Sequence, residues 1–113
     1  MQHPWKTHKW FVSPWNYLPE VRKNFKFPAK IKIHDVTLRD GEQQTAVVFR
    51  KEEKIEIAKR LDAMGVHRIE AGMPAVSPQD RAAVCEIANM GLKAEIFSFS
   101  RCLIADIQAA KEC

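Results

Sequence analysis

The sequence predicts an α/β protein with a parallel sheet. Three apolar, β-branched segments begin at Lys30, His67 and Lys93, and each is followed by a loop and then a stretch with helical periodicity. The units repeat every 25 to 35 residues or so, a rhythm that calls for parallel strands joined by helical crossovers. The apolar content of 46% and charged content of 28% are those of an ordinary globular domain. Two architectures satisfy this pattern, an open doubly wound sheet and a (β/α)8 barrel. Both place ligands at the C-terminal ends of the strands.

Each element has its own local cause. Lys30-Ile31-Lys32-Ile33-His34-Asp35-Val36 alternates apolar with polar and reads as the first strand. Lys51 to Met64 reads as a helix, with Ile57, Ala58, Leu61 and Met64 on one stripe widened by Ile55, and Gly65 as its stop. Arg50 stands where that helix needs a cap. Arginine caps poorly, so another group must serve the helix start. His67 to Ala71 is a second strand ending at Gly72. Ser77-Pro78-Gln79-Asp80 starts a helix with a serine cap, a proline in the first turn and an acid on the positive end of the dipole. That helix runs to about Met90, before Gly91. Lys93 to Phe99 reads as the third strand and Leu103 to Glu112 as the third helix.

Residues 1–29 form a different segment. They hold Trp5, Trp10, Trp15 and Tyr17 together with Pro4, Pro14, Pro19 and Pro28, which exclude a long helix. They read as an aromatic, proline-rich arm, packed on its own domain or crossing to another subunit. Of the net charge of +4, residues 1–30 carry +5 and residues 31–113 carry −1. A folded body so close to neutral argues against nucleic acid as a partner. No apolar run of about 18 residues is present for a membrane span, and no apolar leader opens the chain. Cys85, Cys102 and Cys113 are odd in number and form no C-x-x-C pair, which fits reduced thiols in a cytoplasmic protein.

The chemistry gathers after the first strand, in Asp35-Val36-Thr37-Leu38-Arg39-Asp40-Gly41-Glu42-Gln43. Asp40 and Glu42 are hard oxygen donors for a divalent cation. Arg39 offers a planar fork for a carboxylate or a developing oxyanion, and Gln43 adds a neutral hydrogen-bonding group. A polar loop with a local Arg–Asp pair is the plain alternative. His34, His67, His3 and His8 show no ligand spacing, Cys102 has no neighbouring histidine to activate it, and the glycines form no phosphate-binding fingerprint.

The order D-x-T-L-R-D-G-x-Q resembles the signature of the metal-dependent superfamily of acyl-CoA condensing synthases and lyases: isopropylmalate, homocitrate and citramalate synthases and hydroxymethylglutaryl-CoA lyase. Glu52-Glu53-Lys54 with Ile57-Ala58 and Leu61 is similar to the family's first helix, and Ile69-Glu70-Ala71-Gly72-Met73-Pro74 to its second strand and loop. The resemblance spans residues 31 to 113, and within it residues 1–29 have no counterpart. It implies the first three βα units of a (β/α)8 barrel over residues 30–113. It further implies condensation of an acyl-CoA, in the first instance acetyl-CoA, with a 2-oxo acid, on Mg2+, Mn2+ or Zn2+, in a homodimer. By the resemblance Asp40 ligates the metal, Arg39 and Glu70 are catalytic, and Arg39, Gln43 and Arg101 bind substrate. The family's later H-x-H metal ligands do not occur in these 113 residues, and a barrel needs about 250. The chain is therefore expected to be the N-terminal part of a longer enzyme and inactive alone. The E-Q ending of the first motif favours a synthase. A hydroxymethylglutaryl-CoA-type lyase and a non-catalytic interaction module remain the alternatives.

Overall fold

A computed structural model describes residues 3–113. The described residues fall into two compact units, one ending at Ile31 and the other running Lys32–Cys113. In the first, Lys6 and Phe11 form an antiparallel bridge. A 3-10 turn at Pro14–Tyr17 and a one-turn helix α1 at Pro19–Arg22 follow, each opened by its proline. Trp5 packs 6.0 Å from Tyr17, and the Arg22 guanidinium lies over the rings of Tyr17 and Phe27.

The second unit carries the elements β1 (His34–Asp35), α2 (Lys51–Met64), β2 (Arg68–Glu70), α3 (Pro78–Asn89), β3 (Glu95–Phe97) and α4 (Ile104–Lys111). The three strands form one parallel sheet in the order β1-β2-β3. The helices start and stop where the sequence places them. Gly65 closes α2 at φ 90°, and the Ser77 hydroxyl accepts the Asp80 amide at the head of α3. The cap that Arg50 cannot supply comes in part from Glu53, whose carboxylate accepts the Arg50 amide at 2.7 Å.

The strands are shorter than the sequence suggests. The ladder of β1 is confined to His34–Asp35, although the Ile33 carbonyl still accepts the amides of His67 and Arg68. A strand lasts only as long as its partner, and β1 has β2 on one edge alone among the described residues. The α2 stripe also differs by one side chain. Met64 is 72% exposed, whereas Lys54, one turn before Ala58, points inward and is 2% exposed.

The core lies between the sheet and the layer of α2 and α3. Ile69, Ala58, Val84, Ile87, Leu38 and Ala71 are buried there. Because side chains alternate along a strand, the opposite face of the sheet shows His34, Arg68, Glu70, Glu95 and Phe97. That face is charged and aromatic: Arg68 bonds Glu95 at 2.8 Å, and the ring of His34 lies 5.3 Å from Phe97.

The thiol expectation requires correction: the structure joins Cys85 to Cys113 in a disulfide and leaves Cys102 free. The reason is tertiary. The end of α4 docks on α3, where Arg81 pairs with Glu112 and the Asn89 amide donates to the carbonyls of both Cys85 and Cys113. No local spacing announces a contact between residues 28 positions apart.

Candidate active site

The motif after β1 folds through its own side chains. Asp35 accepts the Thr37 amide at 2.9 Å and the Thr37 hydroxyl at 3.1 Å, which turns the chain as it leaves the strand. The Val36 carbonyl then accepts the amides of Arg39, Asp40 and Gly41. This tight turn passes into a 3-10 turn at Gly41–Gln43. Leu38 is driven into the core while Arg39 and Asp40 are sent to the strand ends.

Arg39 is the hub. Its Nε donates to Glu70 Oε1 at 2.9 Å, its Nη1 donates to Asp40 Oδ1 at 3.1 Å, and its guanidinium lies 4.8 Å from the centre of the Phe99 ring. His34 Nε2 stands 3.7 Å from Glu70 Oε2. The contacts thus join residues from the C-terminal ends of all three strands, the place where parallel α/β folds bind ligands. Burial grades outward through the group: the Glu70 side chain is 12% exposed, Arg39 23% and Asp40 61%. Asp40 thus presents an anionic oxygen to solvent, and among the described residues Nη2 of Arg39 donates to no protein group.

The other sequence candidates fall in different places. Gln43 is exposed and lines a cleft of about 300 Å³ with Leu38, Arg39, Gly72, Met73 and Val76. Gly72, at φ 139°, lets the chain turn between β2 and this cleft, where an added Cβ would lie 3.2 Å from Val84. Arg101 does not join the Arg39 group. Its guanidinium is held by both carboxylate oxygens of the buried Asp106, Nε at 2.6 Å and Nη2 at 3.0 Å, in the first turn of α4. The hydrogen bond and the charge of Arg101 hold the Asp106 carboxyl below its usual range. Glu42 also departs from expectation. Both of its oxygens are engaged away from Asp40, Oε1 by the Phe49 amide at 2.9 Å and Oε2 by the Lys54 ammonium at 2.6 Å. Neither Phe99 nor the Lys54 contact is signalled in the sequence, because nothing local marks a ring under a guanidinium or a lysine on an apolar stripe.

A divalent cation fits the donor chemistry in part. Asp40 offers an accessible carboxylate, the hard oxygen donor that Mg2+ and Mn2+ prefer. Among the described residues no three His, Cys, Asp or Glu side chains converge on one point.

Fold and site together define a parallel α/β protein with a charged cluster at the strand ends. A family model described as HMGL-like matches residues 30–113, and the chain belongs to that family. It is 50% identical to homocitrate synthase AksA of Methanothermobacter thermautotrophicus over 105 residues, 93% of this chain and 26% of that protein. It is 52% identical to homocitrate synthase AksA of Methanocaldococcus jannaschii over 112 residues, 99% of this chain and 25% of that one. With 2-isopropylmalate synthase 2 of Caldanaerobacter subterraneus subsp. tengcongensis the identity is 43% over 89 residues, 79% and 23% of the two chains. The chain spans about a quarter of the length of the curated relatives it matches. The alignment with the Methanocaldococcus jannaschii protein takes in 99% of this chain, so the N-terminal segment has a counterpart in that relative.

Proposed function

We propose that the chain forms the opening units of a condensing synthase that joins acetyl-CoA to a 2-oxo acid. The observation that carries this reading is the Arg39–Glu70–Asp40 cluster at the strand ends, set in the motif shared with the family. The names of the relatives point to 2-oxoglutarate as the first acceptor to test, since its condensation with acetyl-CoA yields homocitrate. Residues 1–29 serve as an arm, and residues 30–113 contribute three of the eight units of a (β/α)8 barrel. The charged second face of the sheet supports a barrel interior, because a doubly wound sheet needs an apolar face for a second helix layer. The whole enzyme acts as a homodimer in the cytoplasm.

In this mechanism Asp40 contributes an oxygen ligand to the divalent cation, which when bound supplies Lewis acidity at the 2-oxo acid carbonyl. Glu70 fixes the guanidinium of Arg39 through Nε, so that the free Nη2 faces the charge that develops on the carbonyl oxygen as the new C–C bond forms. A guanidinium already anchored on two sides loses little freedom in doing so, which is how preorganised donors lower a barrier. Gln43 orients the substrate from the rim of the adjoining cleft. Arg101, committed to Asp106, holds substrate only if that pair opens; in the closed pair its role is to fix the start of α4.

The test is CoA release by the protein carrying the full barrel, given acetyl-CoA and 2-oxoglutarate with Mn2+. A synthase releases CoA only when the 2-oxo acid is present. Cleavage of 3-hydroxy-3-methylglutaryl-CoA, with no release from acetyl-CoA, would identify a lyase instead.

A further inference from the structure

Lys54 is the largest side chain fully removed from solvent among the described residues, at 2% exposed. A buried ammonium needs partners, and this one has two carboxylates: Glu42 Oε2 at 2.6 Å and Asp80 Oδ1. Each carboxylate is anchored again. Glu42 Oε1 accepts the Phe49 amide, and Asp80 Oδ2 accepts the Ser77 hydroxyl at 2.6 Å. Three parts of the chain thus meet at one ammonium: the loop between β1 and α2, α2 itself, and the head of α3. Asp80 alone would neutralise Lys54. The second carboxylate leaves the cluster with a net negative charge, so Glu42 is not needed to balance it. What Glu42 adds is a tie to the loop, in which Ala46 is held at φ 66°, an unfavourable conformation for a residue with a Cβ.

We propose that Lys54 is a positioning residue for the Asp40 ligand. Glu42 belongs to the 3-10 turn Gly41–Gln43, which Asp40 immediately precedes. Drawing Glu42 inward onto the helix layer rolls that turn so that Asp40 faces outward beside Arg39 and Gln43 keeps to the cleft rim. Metal ligands and oxyanion donors must be held to about half an ångström, and a loop on one strand end needs such an anchor. Lys54 touches neither substrate nor metal and acts only through Glu42. The proposal rests on Asp40 being the ligand assigned under the proposed function.

The test is Mn2+ titration of the protein carrying the full barrel, well below the melting temperature of each variant. Glu42→Gln keeps an oxygen for the Phe49 amide but loses the ion pair, and Lys54→Met removes the ammonium. Both are expected to weaken Mn2+ binding by about tenfold, the usual effect of losing a group that orients a metal ligand. Asp80→Asn loosens the same ammonium without touching the loop and should lower the melting temperature while leaving Mn2+ affinity within about twofold. If Lys54→Met does not fold, Glu42→Gln decides alone. Wild-type Mn2+ affinity in Glu42→Gln would overturn the positioning role and reduce Lys54 to a structural ion pair. A wild-type protein that binds no Mn2+ would overturn the assignment of Asp40 itself, and the positioning role with it.

Discussion

Arg39 shows how much depends on the shape of one side chain. Its guanidinium bonds Glu70 through Nε and Asp40 through Nη1 while lying against Phe99. A lysine reaches one of these partners but cannot span both, nor stack as a plane. Arg39→Lys in the full barrel should therefore lower kcat by about 10²-fold with a smaller change in KM, the pattern of a contact made in the transition state. A rise in KM alone would make Arg39 a carboxylate clamp. The Lys54–Asp80 pair sets a second residue-scale expectation. Burial pushes the Asp80 carboxyl up, but the hydrogen bonds from Lys54 and Ser77 and the charge of Lys54 outweigh it and hold the group below its usual range. Burial likewise pulls Lys54 down, and Asp80 and Glu42 together hold it above its usual value. The stability from Asp80 is thus fully present above about pH 4 and is lost as pH falls through its depressed value. That from Lys54 is fully present below about pH 10 and is lost as pH rises through its raised value. Melting temperatures between pH 2 and 7 should show an acid limb in the wild type that is flatter in Lys54→Met; equal slopes would contradict the coupling.

Among the elements, what was legible in the sequence had a local cause. The Ser77-Pro78 start of α3 and the Gly65 stop of α2 are written in residues that do their work within one turn, and both stand where they were expected. Periodicity found α2 and most of its buried face but gave no sign of the inward Lys54; only the distant Glu42 and Asp80 make a lysine tolerable there. Strand lengths were overestimated because alternation records what a residue can do, whereas pairing depends on a neighbour. Arg39 and Asp40 were legible through their motif, and the contact from Arg39 to Glu70 only because both motifs resemble one family. The Cys85–Cys113 link was not legible, since it follows from α4 docking on α3. It carries its own check: thiol titration of the unreduced 113-residue chain under denaturing conditions should find one reactive thiol, Cys102, and three after reduction. Three thiols before reduction would show that Cys85 and Cys113 are not joined.

For the molecule as a whole, the sheet is the informative object. Its helix-covered face is apolar, while its other face and its edges carry charged and aromatic groups beside exposed Ile33, Phe97 and Phe99. Unpaired strand edges with apolar neighbours invite association. The 113-residue chain by itself should elute from size exclusion as an oligomer or aggregate, and a sharply melting monomer would show that the sheet needs no further cover. The same geometry gives the site its meaning, for the Arg39 cluster draws on all three strands and opens away from the helix layer. The proposed metal-assisted condensation at this cluster is tested by comparing CoA release from acetyl-CoA and 2-oxoglutarate, with saturating Mn2+, by the full-barrel protein and its Asp40→Asn variant. Release by the wild type should depend on the acceptor and fall by about 10²-fold or more in the variant, as when an anionic metal ligand is removed. Equal rates in the two proteins, or no release by either, would contradict it.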